Sequence, residues 1–132
     1  MSTEANKQLV RDTWGAVTNG DPEGFMARLA DDVTWTFFGS HRFAGTIRGK
    51  EELISKLFAP LGEVLAEGIK VHIDSLTAEA DRVVIEARGE AQTKDGRPYN
   101  NSYCIVVTVR DGKVAHVREY LDSELVTAVF GR

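Results

Sequence analysis

Apolar positions recur at helical spacing near the start of the chain and at every second position towards its end. Leu9, Val10, Thr13, Trp14 and Val17 share one face of a 3.6-residue repeat, and Asn19-Gly20 supplies a stop. Asp21 then caps a second helix, with Pro22 at its first position and Glu23 in its first turn. Phe25, Met26, Leu29 and Ala30 form its expected buried stripe. Val33, Trp35 and Phe37 alternate with Thr34 and Thr36, which predicts a short strand. Residues 39–49 read as a loop with a small strand near 43–47. Residues 50–66 read as a third helix with Leu53, Ile54, Leu57, Phe58, Leu61, Val64 and Leu65 on its apolar side, kinked or restarted at Pro60.

The second half alternates. Ile69, Val71 and Ile73 interleave with Lys70, His72 and Asp74; residues 83–93 follow a turn at Glu79-Ala80-Asp81; and residues 99–110 follow a loop holding Asp95-Gly96. Asp111-Gly112 is a hairpin signal leading into residues 114–122. Helices first and an antiparallel meander afterwards predict an α+β fold, with three helices on the N-terminal side covering the concave face of a curved sheet around a conical pocket. A length of 132 residues, without repeats, low-complexity tracts or linkers, suits a single domain spanning 1–132.

Composition narrows the partners. Net charge is −4 without a lysine–arginine run, so nucleic acid is not expected. No apolar run approaches the roughly 20 residues that cross a bilayer, and the polar start, Ser2 to Lys7, lacks the apolar core of a secretory signal. Cys104 is the only cysteine, which excludes an intrachain disulfide, favours a packing role and makes a cytoplasmic home the simplest expectation.

Charge inside the strands is the main chemical signal. Arg88 and Glu90 lie two apart in one strand and so share a face, while Glu119 stands between Val117 and Leu121 on an apolar face. A carboxylate among inward-pointing apolar residues is costly unless paired, and an arginine flanked by two carboxylates would meet that need. Two acids in unequal surroundings can divide into a base and a proton donor. Against this, Glu86, Arg88, Glu90 and Gln92 make a wholly polar row, the usual solvated face of an antiparallel sheet. His41 is expected as a solvated loop residue, His72 and His116 are expected to point outward, and three dispersed histidines predict no metal site. Trp14, Trp35, Phe37 and Phe58 are core aromatics, several of which would line an apolar cavity, and Tyr103 either bonds a ligand or seals the core.

Four motifs in this order carry a family resemblance: Asn19-Gly20-Asp21 between two helices; Leu29-Ala30-Asp31-Asp32-Val33 running into Trp35; Arg48-Gly49-Lys50-Glu51 opening the third helix; and Asp111-Gly112-Lys113-Val114 followed by Arg118-Glu119-Tyr120-Leu121-Asp122. The chain resembles the NTF2-like superfamily in its SnoaL-like branch of small cyclases, isomerases and hydrolases. The resemblance implies an α+β cone enclosing a pocket, and a homodimer packed through the sheets. The functional positions of ketosteroid-isomerase-like members fall on Phe37, Thr13 and Ile105, which cannot run that machinery. Limonene-epoxide-hydrolase-like members place an arginine and two acids where this chain has Arg88, Glu90 and Glu119, but their water-holding tyrosine and asparagine fall on Trp35 and Phe37.

The expected function is therefore a cofactor-independent hydrolase, cyclase or isomerase acting on a small apolar, oxygen-bearing ligand. Arg88, Glu90 and Glu119 would form its acid–base site, and Trp14, Trp35, Phe37, Phe58 and Tyr103 would hold the substrate. The alternative is a non-catalytic ligand-binding or dimerisation module of the same fold; an adaptor role has no recognisable surface to support it.

Overall fold

The computed structural model describes residues 2–132. Helix α1 (Thr3–Thr18) starts at Ser2, whose Oγ accepts from the Ala5 N–H, and ends at Asn19. Helix α2 (Pro22–Ala27) uses the expected Asp21 cap, which accepts from the Gly24 N–H at 3.0 Å. It stops before Leu29 and Ala30, which open strand β1 (Leu29–Phe37) rather than extending the helical stripe. Strand β2 (Gly45–Arg48) leads into α3 (Gly49–Leu53), one π-helical turn over Ile54–Phe58, and α4 (Ala59–Val64). The predicted third helix is thus broken ahead of Pro60: a proline has no N–H and crowds the preceding turn, and the π turn absorbs the mismatch. That turn leaves Ile54 half exposed instead of on the apolar side.

Strands β3 (Lys70–Glu79), β4 (Arg82–Glu90), β5 (Ser102–Arg110) and β6 (Lys113–Leu121) form the expected meander, joined at Ala80 and Asp111, both in the left-handed region. The six strands run in the order β2-β1-β6-β5-β4-β3. Every pairing is antiparallel except β1 with β6, which run parallel, Trp35 opposite Val117 and Phe37 opposite Glu119. Register breaks interrupt the β3–β4 pairing after Ile73 and the β5–β6 pairing after Thr108, curving the sheet, and α1 packs across β3, β4 and β6 on the inner face.

A further helix, α5 (Ser123–Phe130), follows β6 and was absent from the predicted elements. Asp122 caps it, accepting from the N–H groups of Glu124 and Leu125, and Val126 and Phe130 anchor it to the core. No helix among the described residues is long and apolar enough to cross a membrane.

Candidate active site

The inner faces of β1, β5 and β6, together with α1 and the π turn, enclose a cavity of about 80 Å³. Trp14, Trp35, Phe37, Phe58 and Tyr103, the five side chains expected to hold a ligand, all line it. The aromatic walls brace one another: Trp14 tilts against Trp35 at 5.9 Å between ring centroids, and Phe25 meets Phe58 edge-on at 5.5 Å.

Glu119 is the only charged side chain in this lining. Strand alternation points it inward with Val117, opposite Ile105 of β5, and it is buried. Its one hydrogen bond is from Trp35, whose Nε1–H donates to Oε1 at 3.1 Å. Burial pushes its pKa up to about 7, and the Trp35 bond opposes that rise. A carboxyl half ionised near neutrality, inside an apolar chamber, is suited to accept and return a proton.

Two phenols complete the polar side. The Tyr99 hydroxyl accepts from Asn101 Nδ2 at 3.1 Å, and the Tyr103 ring lines the same cavity. Burial, with Tyr99 and Glu119 nearby, holds the Tyr103 hydroxyl protonated far above the ordinary phenol range. Both hydroxyls keep their protons at neutral pH, so either O–H can donate to a bound oxygen.

Arg88 and Glu90 do not join this group. Val83, Ile85, Ala87 and Gly89 take the inward positions of β4, so Arg88 and Glu90 project from the opposite face. Arg88 makes a two-pronged ion pair with Asp74, Nε to Oδ2 at 3.0 Å and Nη2 to Oδ1 at 2.9 Å, and Glu90 lies 3.3 Å from His72 Nε2. The expected Arg88–Glu90–Glu119 site is therefore split across the sheet. Side chains alternate with a period of two, so an offset of one residue reverses a whole row. The same phase turns Ala87 and Gly89 into the core.

A family model described as a SnoaL-like domain matches residues 10–117. The chain belongs to the SnoaL-like family. An uncharacterized protein of Mycobacterium tuberculosis is 26% identical over 98% of both chains. An NTF2-like protein from Burkholderia thailandensis is 28% identical, covers 98% of both chains and superposes with a TM-score of 0.82. An M. tuberculosis LEH-like epoxide hydrolase is 23% identical, covering 97% of this chain and 90% of its own, with a TM-score of 0.78; that likeness concerns the fold.

Within this SnoaL-like frame, the positions matched to ketosteroid-isomerase-like machinery are spent on structure. Thr13 is buried, and its Oγ1 donates to the Leu9 carbonyl at 2.7 Å; Phe37 and Ile105 are cavity wall. His41 is not the solvated loop residue expected. It is buried edge-on against Phe37 at 6.0 Å, and its Nδ1 accepts from the Phe43 N–H at 3.1 Å. Burial lowers its pKa, and it packs against Phe37 and Phe43, which line the cavity. His72 and His116 do face outward, His116 Nδ1 sharing a hydrogen bond with Thr34 Oγ1 at 2.7 Å.

Three contributors went unread in the sequence. Tyr99 and Asn101 are buried, while Asn100 and Ser102 are exposed, so Tyr99, Asn101 and Tyr103 continue one inward row ahead of and into β5. That alternation was the available signal. Asn101 also accepts from the N–H groups of Ser102 and Asp122 at 2.8 and 2.9 Å, tying the start of β5 to the cap of α5. Gly89 makes room for Tyr103: a Cβ there would stand 2.7 Å from Tyr103 Cε2 and 3.1 Å from its hydroxyl.

Proposed function

We propose that this SnoaL-like chain is a cofactor-independent proton-transfer enzyme, of isomerase type, acting on a small apolar ketone or related oxygenated molecule. The observation that carries this reading is a single buried carboxylate, Glu119, poised near neutrality in an otherwise uncharged cavity. Ionised Glu119 removes a proton from the carbon next to a carbonyl, and the electron pair moves to the oxygen to form an enolate. A protonated phenol of the cavity wall, Tyr99 or Tyr103, hydrogen-bonds that oxygen. The Glu119 carboxyl then returns its proton to carbon, at the same position or further along a conjugated chain. Trp35 orients the carboxylate, and Trp14, Phe37 and Phe58 hold the apolar body of the substrate.

Opening an epoxide by water fits the site less well. Such hydrolysis calls for one group to activate water and another to protonate the leaving oxygen, and Arg88 and Glu90 lie on the far face. The same proposal includes a homodimer through the outer sheet face, where exposed Phe38 and Tyr120 stack at 4.5 Å.

Hydrogen–deuterium exchange of 2-pentanone in D2O, followed by proton NMR, tests the reading. Exchange α to the carbonyl is expected to exceed the buffer rate and to fall on the order of 100-fold in Glu119→Gln. Exchange no faster than buffer with the wild-type chain rejects the enzyme reading and leaves a ligand-binding role.

A further inference from the structure

A second hollow, of about 520 Å³, lies on the outside of the same wall. It runs between the end of α1, the N-terminal part of α2 and the π turn, and its surface is almost wholly apolar. Ile54, half exposed with no packing role in the core, and Met26 form its outer lip. Its charged neighbours lie at the rim, and Asp21 there is engaged in capping α2. Val17, Phe25 and Phe58 line both this groove and the inner cavity. The two hollows therefore meet at the perpendicular Phe25–Phe58 pair.

The inner cavity, at about 80 Å³, has space for the head of a ligand beside Glu119 but not for a drug-sized body, which occupies roughly 300–1,000 Å³. The inner cavity has no charged group besides Glu119, and the groove's two, Asp21 and Glu23, are acidic and exposed at its rim, so neither space holds a cation to anchor an anionic tail. We infer that the groove is the second half of the ligand site: the substrate is a carbonyl head carrying an unbranched or prenyl-like apolar tail, which passes Phe58 and lies along Ile54 and Met26. The π turn sets both side chains, putting Phe58 where the hollows meet and Ile54 in the groove within five residues. This inference rests on the proton-transfer reading for the position of the head alone.

A homologous series, 2-pentanone, 2-nonanone and 2-tridecanone, distinguishes the two claims when binding is followed by quenching of Trp14 and Trp35 fluorescence. Each methylene buried in the groove is expected to tighten binding about threefold, so that 2-nonanone binds on the order of 100-fold more tightly than 2-pentanone. Ile54→Glu and, independently, Met26→Glu are expected to erase most of that gain while leaving 2-pentanone binding within about twofold. Both side chains reach the surface, and thermal unfolding of each variant checks that the fold is retained. Affinity independent of tail length, or equal losses for short and long ketones, overturns the inference. So does a wild-type dimer that dissociates in Ile54→Glu on light-scattering chromatography, since a second copy would then own the groove. Tail-dependent binding together with α-proton exchange unaffected by Glu119→Gln upholds the groove and rejects the catalytic reading. Failure of every ketone to bind rejects both.

Discussion

Trp35 donates its indole N–H to Glu119 across 3.1 Å, joining residues 84 positions apart on two parallel strands. This is the only hydrogen bond the buried carboxylate receives from the described residues, and it is weak compensation for lost water. The remaining desolvation is what keeps the proton on Glu119 up to about pH 7.

That proton has a stability consequence. The folded-state pKa is raised from 4.5 to about 7, so the native state binds more protons than the unfolded chain in that window. The contribution of Glu119 to stability is therefore full below about pH 4.5 and is lost as pH rises through 7. Glu119→Gln, which keeps an acceptor for Trp35, is expected to be nearly neutral at pH 5 and to stabilise the protein by about 2–3 kcal/mol at pH 8. Urea denaturation at the two pH values measures the difference.

Trp35→Phe keeps the aromatic wall and removes the one bond that favours the ionised form. The Glu119 pKa should rise above its present value of about 7. For a base that acts when ionised, the ascending limb of the kcat/KM profile then moves to higher pH in this variant, with the plateau at high pH less affected. A profile superimposable on wild type would separate Trp35 from the titration of Glu119.

Gly89→Ala sets a methyl group against the Tyr103 ring at 2.7 Å, and against Ile69 Cγ2 at 3.2 Å. Tyr103 has to shift, so the variant is expected to lose about 1–3 kcal/mol and to weaken ketone exchange through kcat more than KM. Denaturation and steady-state kinetics of this single variant report the two effects separately.

Arg88→Ala and Glu90→Gln should leave α-proton exchange within about twofold of wild type, because exposed ion pairs on the outer face contribute little. A large loss of turnover in either variant would return them to the site.

Much of the fold was legible because hydrophobic periodicity and turn chemistry agree locally. The Asp21 cap, the Asp111-Gly112 hairpin and the inward run of Val117, Glu119 and Leu121 each followed from a few neighbouring residues. Glu119 stood out for the same reason, as a carboxylate in an apolar row. The phase of β4 was also readable: bulky Val83 and Ile85 claim the core, and Glu86, Arg88 and Glu90 claim water. The family resemblance pointed the other way, and the larger apolar residues decided it. The parallel pairing of β1 with β6 and the π turn at Ile54–Phe58 arise from contacts remote in sequence, which no local pattern encodes. Helix α5 had a signal that went unused, Leu125, Val126, Val129 and Phe130 at helical spacing after a capping Asp122.

The most direct test is a carbon-13 NMR titration of the glutamate side-chain carboxyls from pH 3 to pH 9. One resonance is expected to titrate near pH 7, apart from the others, and to vanish in Glu119→Gln. If every glutamate, Glu119 included, titrates at ordinary carboxylate values of about 4–5, the cavity does not hold a poised base and the account of this site is wrong.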